Sequence, residues 1–471
     1  MHGNSVQLTI NFLARPEDAN IYPEGEYEFY LVEKLRDLPG RRTVWKARVN
    51  EKDILLKVYH KHAKQNRDVD AEWGNAMRLK ECKLKVAAPL FRCSGKNDEI
   101  ALAFEYIDGG EIFATHVERS NNPSQVLKEL FEMHARQHNA GCYQSDNHLG
   151  NYLCAEGDLY MLDAGSFVFH QGPLPNKERV NNLAMLMANI PLPCCDLAER
   201  AMDSYLELRP EGVDKSVMSR EVLGARGEAI QVRLRKYFKK TRRSCTEFYR
   251  KDWDGKTWFG YRKLPSELEK ALQSDPDQFF DTEELLKDGN TCTVTKLTFE
   301  GKSYVLKRYN KKPLGYQLSH VLLPSRALKS WTNGHVLNLF GIKTPKPQAC
   351  LVIRSRGLVQ RSYLLMENIE GETLDRVNSE RILSPESPIP KAFANRWAEL
   401  ESIGASHGDM KASNLIVTPE GDLILIDLDG LKFDKSDQEH QRRREKDMKR
   451  FMKNWEGKPE LIKVFQEALI S

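Results

Sequence analysis

H-G-D-M-K-A-S-N at residues 407–414, followed by I-D-L-D-G at 426–430, decides the fold, because the chain contains the same pattern twice. The other copy reads Q-S-D-N-H-L-G-N at 144–151, with L-D-A-G at 162–165. In each copy an Asp precedes an Asn by five residues: Asp146 and Asn151 in one, Asp409 and Asn414 in the other. A second Asp, Asp163 or Asp427, then ends an apolar run. A single D-x-x-x-x-N is common. The same loop twice, each followed 12 or 13 residues later by such an Asp, is not.

One Asp to orient a hydroxyl, with an Asn and a later Asp as hard oxygen ligands, forms the catalytic loop and metal strand of a protein-kinase-like fold. On this reading Asp146 and Asp409 handle the acceptor's proton. Asn151 with Asp163, and Asn414 with Asp427, would hold Mg2+ against the phosphates of ATP. Lys57 in I-L-L-K-V-Y and Lys307 in Y-V-L-K-R-Y each interrupt an apolar strand, about 90 to 100 residues ahead of the loop Asp. A strand lysine is often only an edge residue. At this spacing it reads as the nucleotide-phosphate lysine, and Glu72, at the start of a helix expected over 71–81, reads as its partner. The two helices share W-x-N (Trp73 and Asn75; Trp331 and Asn333), which points to duplication of one unit. That alignment puts Ser330 where the second helix should carry a Glu, so either another acid holds Lys307 or it is held less firmly.

The segments around these residues predict an α+β chain of two tandem kinase-like domains, each with a small β-rich lobe and a larger helical lobe. The first spans 1–250, its small lobe running to about 103 and its large lobe starting at about 109. Residues 251–280 read as a linker or the start of the next small lobe, and 281–471 as the second domain, with a hinge near 366–371. A length of 471 residues suits two domains better than one core. The phosphate-covering segments R-D-L-P-G-R-R-T (36–43) and K-D-G-N-T-C-T (287–293) carry one glycine each, and no G-x-x-x-x-G-K-[ST] exists, which excludes a P-loop nucleotidase. His134 and His138 share a helix face but lack the Glu of a zinc-protease helix, and read as structural.

No apolar run approaches the ~20 residues of a membrane span, and the first residues, M-H-G-N-S-V-Q-L, do not resemble a signal peptide. Nine cysteines without a C-x-x-C pair, with Cys194 and Cys195 read as buried thiols, suit a reducing cytoplasm. The net charge is +4, yet residues 231–251 hold nine Lys or Arg against one acid, Glu247. This segment reads either as a solvated helix face or as a patch for an anionic partner such as a membrane surface. No nucleic-acid motif accompanies it. A second basic run spans 442–450.

S-R-A-L-K-S-W (325–331), G-I-K-T-P-K-P (341–347), H-G-D-M-K-A-S-N and R-R-R-E-K-D-M-K-R-F (442–451) resemble the bacterial lipopolysaccharide core kinase family, the heptose kinases and InaA-type proteins. A-E-W-G-N, V-A-A-P-L and the Q-S-D loop echo it in the first half, so the chain resembles the tandem two-domain form found in pseudomonads. The resemblance implies an ATP- and Mg2+-dependent kinase acting on an inner-core sugar hydroxyl, with heptose expected. The acceptor would be the lipid A-core precursor, met at the cytoplasmic face of the inner membrane with peripheral contact through 231–251. Gln144 and Ser145 replace the family's H-G in the first loop, and the second copy lacks the helix Glu. Two other readings stand beside this one. H-G-D-M-K-A-S-N is also similar to aminoglycoside and choline kinases, which suggests a small-molecule or protein kinase; the irregular positions suggest a pseudokinase scaffold.

Overall fold

The computed structural model describes residues 9–15, 25–95, 98–208, 214–311, 323–434 and 436–470. It divides into two compact units, Met1–Ala229 and Ile230–Ser471. The boundary falls inside the helix Lys215–Lys240, some 20 residues before the position expected from sequence.

In the first unit the alternating apolar strands close into a six-stranded barrel of Thr9–Arg15, Gly25–Leu38, Arg42–Val49, Lys52–Tyr59, Ile100–Glu105 and Pro89–Ser94. Its interior is filled by Phe29, Leu31, Ala47, Ile54, Leu56, Val58, Phe91 and Ala103. Each large side chain buried there contributes about 1.5–3 kcal/mol. Lys57 pairs with Val44 on one side and Leu102 on the other, so it lies on a central strand and not at an edge. The following helix runs Gln65–Glu81, six residues longer at its start than expected, which places Glu72 in its interior. Beyond the strand Ile100–Glu105 the chain becomes mostly helical, led by Pro123–Asn139, and a three-stranded and a two-stranded sheet around the Q-S-D loop are set into that lobe.

The second unit repeats this order around a seven-stranded sheet. The hairpin Cys292–Phe299 and Lys302–Tyr309 carries Lys307, the helix is Arg326–Leu339, and the hinge strand is Leu358–Glu367. Ser325 caps the helix by accepting from the Leu328 amide. Residues 251–280, expected as linker or lobe start, are built into the sheet. Phe248–Trp253 pairs with Lys256–Tyr261, which pairs in turn with Pro347–Ser355. Helices Ser266–Ser274 and Gln278–Thr282 then cover one face through Leu268, Leu272 and Phe280. Pro and Asp suggested a linker locally, but Trp258 and Phe259 had partners about 90 residues away, beyond the reach of a local pattern. Strands gathered in one lobe and helices in the other make this an α+β fold of the kinase-like kind.

Candidate active site

The helix asparagine of W-x-N fixes the metal-strand turn identically in both units. Asn75 Nδ2 donates to the carbonyls of Ala164 and Phe167, each at 3.0 Å. Asn333 Nδ2 donates to Leu428 at 2.8 Å and Leu431 at 3.1 Å. In both cases the acceptors are the first and fourth residues after the metal-strand Asp. That Asp is left-handed in each unit, with φ +59° at Asp163 and +61° at Asp427. This conformation costs a non-glycine residue about 1 kcal/mol or more, and such strain gathers at functional sites.

The catalytic loops are braced just as closely. Asn151 Nδ2 donates to the Asp146 carbonyl at 2.8 Å, and Asn414 Nδ2 to the Asp409 carbonyl at 2.8 Å. Leu162 N reaches the Asn151 carbonyl, and Ile426 N the Asn414 carbonyl, which ties loop to metal strand. With Nδ2 committed, each asparagine has its amide oxygen available to a cation. An Asn oxygen with an Asp carboxylate is a hard donor set that suits Mg2+, which takes few protein ligands and fills its shell with phosphate and water. Among the described residues no cluster of three or more His, Cys, Asp or Glu is poised to hold a metal by itself.

The irregular residue Gln144 has a counterpart. Its Nε2 donates to the Leu162 carbonyl at 2.7 Å, while His407 Nε2 meets the Ile426 carbonyl at 3.0 Å. Both carbonyls belong to the residue just before the metal-strand Asp, so Gln in one unit makes the bond that His makes in the other. His407 is buried, and burial holds its pKa below the ordinary value against the opposing pull of Asp447.

The lysines are held differently. Lys57 forms a buried ion pair with Glu72 Oε1, and Glu72 Oε2 accepts from the Gly165 amide at 3.1 Å with Arg42 at 3.6 Å. Burial alone would raise the Glu72 carboxyl, but Lys57 and Arg42 outweigh it and hold the pKa below the ordinary value. In the second unit Lys307 Nζ pairs with Asp427 Oδ1 at 2.6 Å, so the metal-strand Asp itself supplies the missing acid. Ser330 turns its hydroxyl to Tyr309 at 3.0 Å instead. Asp427 too is held low, with Lys307 and Arg326 overcoming burial. Arg326, first residue of its helix, also forms an ion pair with Asp429 of D-L-D-G.

The loop aspartates differ most. The Asp146 side chain is 69% exposed and meets His148 at 3.8 Å. Asp409 is 27% exposed, with Lys411 at 3.3 Å on Oδ2 and Arg450 at 2.6 Å on Oδ1. Asp447, which the sequence reading passed over inside the basic run 442–450, is buried and accepts from the Gly408 and Met410 amides at 3.0 and 3.4 Å. An aspartate set among bases on a helix was the available signal. In the first unit Asn182 takes the comparable place: its Nδ2 donates to the Gln144 carbonyl, and its Oδ1 accepts from Asn147. His134 and His138 lie in this buried network, against Asn147, Tyr205 and Asn182, as structural groups.

A cavity of about 500 Å³ lies in the first unit beside Asp163, whereas the gap between Lys307 and Asp427 in the second is about 30 Å³. The basic segment 231–251 is partly structural: Arg233 stacks on Phe340 and Lys240 pairs with Glu247. Arg235, Lys236, Lys239, Arg243, Arg250 and Lys251 are exposed. Cys195 is buried, but Cys194 is only half-buried. Among the described residues no helix is long and apolar enough to cross a membrane.

Residues 277–468 match the model of the lipopolysaccharide kinase (Kdo/WaaP) family; the match lies within the second unit. That is a family of kinases, and on this match the chain is a kinase. No curated protein matches it in sequence. Among solved structures it is similar to the ROP18 kinase domain in complex with AMP-PNP and sucrose, at 11% identity over 48% of this chain and 87% of that one, with a TM-score of 0.30. It is also similar to a Toxoplasma gondii specific rhoptry antigen kinase domain, at 9% identity over 48% and 88%, with a TM-score of 0.31. Likenesses this weak carry no argument; the fold rests on the element order above.

Proposed function

We propose that the chain transfers the γ-phosphate of ATP to a sugar hydroxyl of the lipopolysaccharide inner core, with heptose as the expected sugar. The observation that carries this reading is that the family match falls on the unit in which Lys307, Asp409, Asn414 and Asp427 share one braced loop and strand. Asp409 would orient the acceptor hydroxyl and take its proton, while Lys411 and Arg450 hold its carboxylate in place. Lys307 would exchange Asp427 for the nucleotide's phosphates, and Asp427 with Asn414 would then hold Mg2+, which when bound neutralises phosphate charge. Lys57, Glu72, Asp146, Asn151 and Asp163 would form a second, tandem nucleotide site. The repeated hydrogen bonds of Asn75 and Asn333, and of Gln144 and His407, support that assignment. The exposed cations of 231–251 suit peripheral contact with an anionic membrane face, which would put the chain in the cytoplasm beside the inner membrane.

The test is transfer of labelled phosphate from ATP with Mg2+ to lipopolysaccharide from a strain lacking this protein. Transfer that disappears in Asp409→Asn while nucleotide binding persists is expected. Intact nucleotide binding with no transfer by the wild type would leave a scaffold or another acceptor, as with a pseudokinase or a small-molecule kinase.

A further inference from the structure

The helix Asp437–Met452 carries the basic run 442–450 and sorts it by face. Arg444, Asp447 and Phe451 are buried. Asp447 braces the catalytic loop, Arg444 reaches the Trp397 carbonyl at 3.1 Å and Glu401 at 3.2 Å, and Phe451 stacks on Phe393. With ~3.6 residues per turn, Arg442, Lys446, Lys449 and Arg450 share the side away from those three. All four are exposed, and Lys453 extends the strip. Among the described residues no acid pairs with Arg442, Lys446, Lys449 or Lys453; Glu439 is taken by Arg443, and Glu445 accepts from Gln441. Like charges at i, i+4, as in Arg442, Lys446 and Arg450, destabilise a helix. The strip therefore does nothing for the fold.

Arg450 ties the strip to the chemistry. Its Nη2 meets Asp409 Oδ1 at 2.6 Å, yet the side chain stays 54% exposed, and its Nε and Nη1 have no partner among the described residues. An acceptor hydroxyl that reaches Asp409 comes to rest beside the strip.

The first unit has the same helix without the strip. Asn176–Asn189 braces its loop through Asn182 and carries the buried Arg179, which reaches the His138 carbonyl and Asn139 on the helix ahead of that loop, as Arg444 reaches Trp397 and Glu401. Asn182 with Asp447, and Arg179 with Arg444, set one register. In that register Asn181, Ala184 and Met185 stand where the second unit has Lys446, Lys449 and Arg450, and Ala184 is buried. Only the first position, Lys177 for Arg442, stays basic.

We propose that the outer face of Asp437–Met452 docks anionic groups, phosphate or carboxylate, on the saccharide that bears the accepting hydroxyl, with Arg450 joining one of them to Asp409. Guanidinium and ammonium groups both bind such anions. From Arg442 to Arg450 the strip is about 12 Å long, enough for more than one such group. This inference rests on the acceptor reading of the second unit, and it makes the acidic saccharide around the reacting sugar the feature recognised.

The experiment compares the full wild-type chain with Arg442→Gln/Lys446→Gln/Lys449→Gln and with Arg442→Lys/Lys446→Arg/Lys449→Arg, which keeps the charge. One readout is steady-state transfer to lipopolysaccharide from a strain lacking this protein. The other is calorimetric binding of the oligosaccharide freed from that lipopolysaccharide by mild acid, with maltoheptaose as the neutral control. The Gln variant is expected to raise KM for lipopolysaccharide and Kd for the oligosaccharide about tenfold or more, with kcat and KM for ATP within about twofold. The charge-keeping variant should match the wild type, and maltoheptaose should not bind. Added salt should weaken oligosaccharide binding by the wild type more than by the Gln variant. Transfer with KM and Kd unchanged in the Gln variant would overturn the docking strip and leave the kinase reading standing. No oligosaccharide binding by the wild type would also overturn it. So would an unchanged oligosaccharide Kd with lost binding to phosphatidylglycerol vesicles, which would assign these cations to a membrane surface. Strip-dependent oligosaccharide binding without transfer by the wild type would keep the docking site and sink the transfer reading.

Discussion

The two units build one hydrogen-bond frame from different side chains. Gln144 and His407 reach the same carbonyl, Asn75 and Asn333 pin the same turn, and Asn182 and Asp447 brace the same loop. The charged groups diverge instead: a helix Glu holds Lys57, the metal-strand Asp holds Lys307, and cations surround Asp409 but leave Asp146 open. The comparison teaches that frame positions are set by what they donate or accept, so a motif can lose its letter and keep its bond. On the proposed function, the cations around Asp409 favour the second unit as the main site of transfer.

The largest effect should separate the loop aspartates. Asp409→Asn is expected to cut transfer to lipopolysaccharide by about 10²–10⁴-fold, and Asp146→Asn by far less; equal losses in a kinetic assay would break the asymmetry. Next is the loop brace. Asp447→Ala leaves the Gly408 amide and the buried Met410 amide without their acceptor, at a cost of about 1–3 kcal/mol for the buried donor. A urea midpoint for the second unit that does not move would contradict that role.

Acid should then weaken both units through histidines held neutral. Burial lowers His134 and His138 in the first unit, and His407 and His335 in the second, the last to about 3. Because these folded values lie below the unfolded one, the unfolded state binds more protons as pH falls under ~6.5, and stability drops. The loss for His335 is about 1.4 kcal/mol per pH unit, down to its folded value. Glu399, which burial raises to about 7, works in the opposite direction and offsets part of this. Thermal melts from pH 7.5 to 5.5 check the sign, and His335→Phe should flatten the slope in the second unit. The smallest effect is Gln144→His, expected to change stability by less than about 1 kcal/mol, whereas Gln144→Leu, which strands the Leu162 carbonyl, should cost about 1–3 kcal/mol. Similar losses for both would mean the frame depends on the residue and not on the bond.

Much of this site was legible because its residues sit in short, repeated spacings. Asp146 and Asn151, or Asp409 and Asn414, lie on one tight loop whose geometry the five-residue step already contains. What stayed hidden depended on partners distant in sequence. Asp427 reaches Lys307 across 120 residues, so Ser330 read as a gap when the acid had moved to another element. The single-glycine segment 36–43 gave no sign that its arginines would line a cavity with a helix start and the metal turn, because only the closed barrel brings those elements together. Trp258 and Phe259 lay in a segment that read equally as linker or lobe start, and only the pairing of their strand with Pro347–Ser355 favours the lobe.

The central claim is that one frame supports two nucleotide sites. Titration of the intact chain with Mg2+ and AMP-PNP tests it most directly, comparing wild type with Lys57→Met and Lys307→Met. The account predicts two equivalents bound by the wild type and one by each variant. A single equivalent in the wild type, abolished by one substitution and untouched by the other, would contradict it.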